Sequence, residues 1–106
     1  MKKIMLDTPG EFIENRRLYS ALLVTANQCD IVGMVQDVTS TSTMYPPGFS
    51  SIFPRPVIGI ISKMDLEEDA SRAESFLQRA GAQTIIKTSA VNRQGIDKLR
   101  AILRSE

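Results

Sequence analysis

The residues of this chain best suited to chemistry fall in three separated turns: Asp7-Thr8-Pro9-Gly10, Ser62-Lys63-Met64-Asp65 and Thr88-Ser89-Ala90. An aspartate at a strand end can hold Mg²⁺, usually through a water, and a glycine three residues on can offer its N–H to a γ-phosphate, since no Cβ blocks close approach. The second turn has the pattern of a guanine reader written [NT]-K-x-D. There Asp65 would accept from two N–H donors on one edge of the base, and the alkyl stem of Lys63 would lie across its flat face. The third turn would close such a pocket with backbone N–H groups near Ala90, with Ser89 tightening the loop. Each also has a plain reading: Asp7 to Gly10 as a turn, Lys63 and Asp65 as a strand-to-helix connection, Ser89 and Ala90 as a generic loop. Their order and spacing, each after an expected strand, carry the joint reading as metal-side residue (Asp7), phosphate contact (Gly10) and base contacts (Lys63, Asp65, Ser89, Ala90).

The energetically first motif of such sites has no counterpart here. No G-x-x-x-x-G-K-[ST] phosphate loop occurs in the sequence, and six residues precede Asp7. The expectation is therefore the later part of a P-loop domain with a weakened grip on phosphate. Ser62 also replaces the usual Asn or Thr, which keeps a hydroxyl and loses amide reach. Glu11 follows Gly10, where some nucleotide hydrolases place a water-orienting glutamine. It is the one candidate catalytic side chain, and a carboxylate there is repelled by a γ-phosphate unless it serves as a base.

To position these turns the chain needs parallel βα units, and its patterning supplies them. Apolar runs at residues 4–6, 31–38, 57–61 and 84–88 read as strands, and residues 14–26, 69–80 and 96–103 read as helices. Ser71 and Glu74 have capping-box spacing, and Gly81 supplies a stop. Residues 39–51 are rich in Ser, Thr, Pro and Gly. A short helical turn near residues 49–53 is all that Pro46-Pro47-Gly48 permits, and Tyr45, Phe49 and Phe53 are expected to anchor this loop to the core. The expected class is α/β: an incomplete Ras-like P-loop NTPase domain with a mainly parallel sheet of about four strands and flanking helices, forming one domain over residues 1–106.

Composition narrows the partners. The net charge of +1 offers no broad basic field for nucleic acid or an anionic membrane, and no apolar stretch has the length of a membrane span. The apolar run at the start is interrupted too early for a signal peptide. Cys29 is the single cysteine, so no intrachain disulfide forms, and a cytoplasmic setting is expected; with no histidine the commonest general base and metal ligand are missing.

The stretches D-T-P-G-E-F-I-E-N-R-R-L-Y-S-A-L-L-V-T-A from Asp7 to Ala26, P-P-G-F from Pro46 to Phe49, R-P-V-I-G-I-I-S-K-M-D from Arg55 to Asp65, and A-G-A-Q with T-S-A-V-N from Ala80 to Asn92 resemble the EutP/PduV family of ethanolamine and propanediol utilisation. The resemblance covers nearly the whole chain. It implies a Ras-like domain, Mg²⁺ with GTP or ATP, and a link to bacterial microcompartments and their proteins. Members are described as GTPase-like, ATP-binding or acetate-kinase-like, so nucleotide and reaction stay open. In the family a first strand, the phosphate loop, a helix and a second strand precede D-T-P-G. Without the strand that lies between them, residues 4–6 would pair directly with residues 31–36, hang loosely or borrow a strand from another chain. Low stability and self-association through strand edges are the corresponding expectations. Two functions from different classes follow: a nucleotide-binding protein with weak or no turnover, and a non-catalytic interaction module that keeps the partner-facing helices.

Overall fold

The computed structural model describes residues 4–7 and 28–104. Four strands, β1 (Ile4–Asp7), β2 (Ile31–Asp37), β3 (Val57–Ser62) and β4 (Thr84–Lys87), form one sheet in the order β1-β2-β3-β4. Every pairing is parallel, so all four strands deliver their carboxyl ends to one edge. Two helices, α1 (Ser71–Ala80) and α2 (Ile96–Arg104), and a 3₁₀ turn (Phe49–Ile52) complete the elements of the described residues.

The central strands are apolar without interruption because both of their faces are covered. On one face Val32, Met34, Val38, Val57 and Ile61 pack with Leu77 of α1 and with Tyr45, Phe49 and Phe53 of the irregular segment. On the other, Ile31, Ile58, Ile60 and Ile86 meet Leu99, Ile102 and Leu103 of α2. Met34, Ile61 and Leu77 are fully buried, each contributing about 1.5–3 kcal/mol relative to exposure. The aromatic residues of the loop do anchor it: Phe49 stacks edge-on to Phe53, with ring centroids 5.4 Å apart. Cys29 is half-buried against this first cluster.

Of the three fates open to the first strand, direct pairing is the one adopted, with Ile4 opposite Ile31 and Asp7 opposite Met34. β2 continues beyond its neighbour to Asp37, three residues past Met34. The Val35 N–H and C=O in that overhang are both met by one side chain: the Tyr45 hydroxyl accepts from the N–H at 3.0 Å and donates to the C=O at 3.1 Å. A buried hydroxyl thus finishes a ladder that β1 leaves short.

The start of α1 departs from the expected capping box and from its expected beginning at residue 69. Ser71 is the first helical residue, not the cap, and the N-cap position falls on Ala70, which has no capping side chain. Asp69 acts instead, its carboxylate accepting from the Ser71 N–H (2.9 Å) and hydroxyl (2.6 Å), and Glu74 pairs with Lys87 at 2.9 Å. Spacing alone misassigned the cap because an aspartate two residues upstream competes for the same donors. Gly81 ends the helix in the left-handed conformation, φ 97°, where its N–H reaches back to Gln78. The expected helix over residues 14–26 lies outside the described residues. No helix among the described residues is long and apolar enough to cross a membrane.

Candidate functional site at the carboxyl edge of the sheet

The chain leaves β3 through Lys63, which adopts φ 64°, a left-handed conformation uncommon for a residue with a side chain. That turn is held by backbone bonds: Met64 N–H donates to the Thr88 carbonyl at 3.0 Å and Leu66 N–H to the Lys63 carbonyl at 2.9 Å. Met64 is buried, whereas Lys63 and Asp65 on either side of it are exposed. Alternation across the turn therefore presents lysine and aspartate together while the methionine plugs the core.

The third turn is fastened to the second. The Ser89 hydroxyl, fully buried, donates to Asp65 Oδ1 at 2.7 Å and accepts from the Val91 and Asn92 N–H groups, each at 3.2 Å. Thr88 ties the base of the loop to β3, its N–H (2.7 Å) and hydroxyl (2.9 Å) both donating to the Ile61 carbonyl. Among the described residues nothing donates to Asp65 Oδ2, and none accepts from the Ala90 N–H. The arrangement offers a braced carboxylate with acceptor capacity to spare and, 25 residues along the chain, a spare donor.

Two features of this edge were not read from the sequence. Asp37, at the end of β2, forms an ion pair with Lys63 at 2.9 Å through Oδ2, while its Oδ1 accepts from the Thr39 N–H (2.8 Å) and hydroxyl (2.7 Å). The Lys63 ammonium and the Thr39 hydroxyl hold the Asp37 carboxyl down at about 2, below its ordinary 3.8, and the same pairing raises Lys63 above 10.5. A register argument places Asp37 opposite Ser62, next to Lys63, but only once strand pairing is known. The second feature is apolar: Leu66 and Val91, the neighbours of Asp65 and Ala90, are 62% and 80% exposed. Large apolar side chains left bare beside a polar constellation provide surface for a flat ring.

Asp7 reaches the same edge on β1 but, lying opposite Met34, stops about 10 Å short of the level of Asp37, at the usual rise per strand residue. Gly10 and Glu11 lie outside the described residues. No group of three or more His, Cys, Asp or Glu that could hold a metal occurs among the described residues. One aspartate at a strand end is fewer ligands than an all-protein Mg²⁺ cage needs. Concavities of about 260 Å³, lined by Tyr45, Pro47, Phe76 and Arg79 among others, and about 320 Å³, lined by Lys87, Gly95 and Lys98 among others, do not border Lys63, Asp65 or Ser89.

The family model described as "Ethanolamine utilisation - propanediol utilisation", PduV-EutP, matches residues 1–105. The chain belongs to the PduV-EutP family. Within the curated proteins it is 42% identical over 103 residues to the propanediol utilization protein PduV of Citrobacter freundii, a match that covers 95% of this chain and 69% of that one. It is 45% identical over 53 residues to protein YoeF of Escherichia coli K12, covering 48% of this chain and 45% of YoeF. The PduV-EutP match takes in all three turns, including Gly10 and Glu11, and it extends through the loop that delivers Tyr45.

Proposed function

We propose that this PduV-EutP chain is a guanine-nucleotide-binding protein of Ras-like type serving ethanolamine or propanediol utilisation. What supports the reading most is the 2.7 Å hydrogen bond from Ser89 to Asp65, which joins two turns far apart in sequence into one base-reading surface. A carboxylate with open acceptor sites suits the two adjacent N–H donors of guanine. Adenine offers one donor and one acceptor along the corresponding edge, and its acceptor is repelled. Lys63 and Val91 supply apolar surface to the ring, and the Ala90 N–H is a donor for the guanine carbonyl.

No phosphate loop lies in the 106 residues. These turns supply base recognition, with Gly10 and a Mg²⁺ ion beside Asp7 on the phosphate side, where the ion would neutralise charge. The bonds to the base are common to GDP and GTP, so both should bind, and the γ-phosphate contact at Gly10 is open to GTP alone. The family description supports a role in ethanolamine or propanediol utilisation, and a bacterial microcompartment is the setting we propose for it.

Isothermal titration with Mg²⁺–GDP, Mg²⁺–GTP and Mg²⁺–ATP tests this. Heat from both guanine nucleotides, with a weaker response to ATP, is the expected result. No heat from any of them at millimolar ligand overturns the proposal and leaves the interaction module.

A further inference from the structure

We propose that Asp37 is a positioning residue of the base site, one that holds the Lys63 ammonium away from Asp65 and so keeps the Asp65 carboxylate open for its ligand. The inference rests on the purine-site reading above and adds to it a residue from a third strand end.

The geometry gives Asp37 two jobs at once. Its Oδ1 is committed to its own turn, through the Thr39 N–H and hydroxyl, and its Oδ2 to Lys63 at 2.9 Å. The anchor is therefore fixed before the lysine arrives. Lys63 has a second carboxylate at hand in Asp65, two residues on, whose charge already acts on it in the direction of the Asp37 charge. Were Asp37 neutral, Asp65 would be the acidic partner left to the ammonium among the described residues. A lysine seated on Asp65 occupies the acceptors that a base needs.

Exposure separates this role from a stabilising one. The Lys63 side chain is 59% exposed and that of Asp37 32%. Ion pairs so open to water add little to stability, and ordering a long lysine works against them. An ordered lysine does help a ligand that would otherwise have to order it on binding. The pair also fixes the course of the Lys63 stem from the end of β3 to the end of β2, which is where a stacked ring would meet it.

The test is a double-substitution cycle read by GDP affinity, with circular dichroism and thermal unfolding to establish that each variant is folded. Asp37→Asn keeps the acceptor for Thr39 and removes the charge; Lys63→Met keeps an unbranched apolar stem and removes the ammonium. Asp37→Asn is expected to weaken GDP binding about threefold to fivefold in the parent, the range open to a partly exposed ion pair, and to have no effect in Lys63→Met. Raising the salt concentration should narrow the gap between Asp37→Asn and the parent, because screening frees Asp65 from the lysine. An unchanged affinity in Asp37→Asn, or the same loss in both backgrounds, overturns the inference while leaving the purine site standing. A parent protein that binds no GDP sinks the purine site, and this inference with it.

Discussion

The Ser89 hydroxyl and the Asp65 carboxylate meet at 2.7 Å although 24 positions separate them, and the serine that makes the contact has no exposed surface. A buried hydroxyl that donates once and accepts twice is a brace. It sets the distance between the turn after β3 and the turn after β4, and with it the width of whatever surface the two present.

Replacing that brace should therefore cost both stability and recognition. Ser89→Ala leaves the Val91 and Asn92 N–H groups without their acceptor and is expected to destabilise the fold by about 1–3 kcal/mol, read by urea unfolding. Affinity for GDP should fall in parallel. A variant as stable as the parent would show that the loop holds its shape without the hydroxyl.

Asp65→Asn tests the chemistry of the carboxylate with little change of shape. An amide offers one acceptor and one donor, so it suits a base with one N–H and one carbonyl along the same edge. GDP affinity should drop by about tenfold to a hundredfold, the usual range for losing hydrogen bonds to a charged group, and xanthosine diphosphate should gain. Equal losses for both nucleotides would mean that Asp65 does not read the base.

Tyr45 closes the overhang of β2 by satisfying Val35 on both sides. Tyr45→Phe keeps the ring against Phe49 and strands one donor and one acceptor at a part-buried site. The expected cost is about 1–3 kcal/mol. Hydrogen exchange at the Val35 amide should accelerate as well; an unchanged rate there would contradict the assignment of the hydroxyl as its partner.

The Asp37–Lys63 pair predicts a small loss of stability in acid, less than the shift alone implies because both side chains are open to water. Asp37 titrates at about 2 when folded against an ordinary 3.8, so it binds fewer protons in the folded state and stabilises it above pH 3.8. That contribution fades as pH falls toward 2. Lys63 shifts the other way, above 10.5, so its share is complete below that pH and is lost as pH rises through the raised value. Unfolding followed between pH 2 and 4 should show a steeper loss in the parent than in Asp37→Asn; identical slopes would mean that the pair makes no difference to folding.

Gly95 opens α2 with φ 75°, and a Cβ there would collide with the Lys87 carbonyl at the end of β4. Gly95→Ala is expected to destabilise by about 1–3 kcal/mol from backbone strain before the collision is counted. Thermal unfolding measures it, and a change within error would show that the turn relaxes around the methyl.

The strands over residues 31–37 and 57–62, the helix that Gly81 terminates and the turns that follow β3 and β4 were legible in the linear sequence, because a strand covered on both faces must be apolar throughout and a left-handed stop favours glycine. These are properties of neighbours in the chain. What pairs with what is not such a property. Direct pairing of β1 with β2, the Tyr45 hydroxyl on Val35 and the Asp37–Lys63 contact each join residues whose separation in sequence says nothing of their nearness. The capping of α1 by Asp69 shows the same at short range: Ser71 had the right spacing for the cap, but competition among nearby carboxylates for the same donors was resolved only by the path the backbone takes. Residue types and local periodicity thus determined which side chains stand at the carboxyl edge, and strand order and register decided which of them touch.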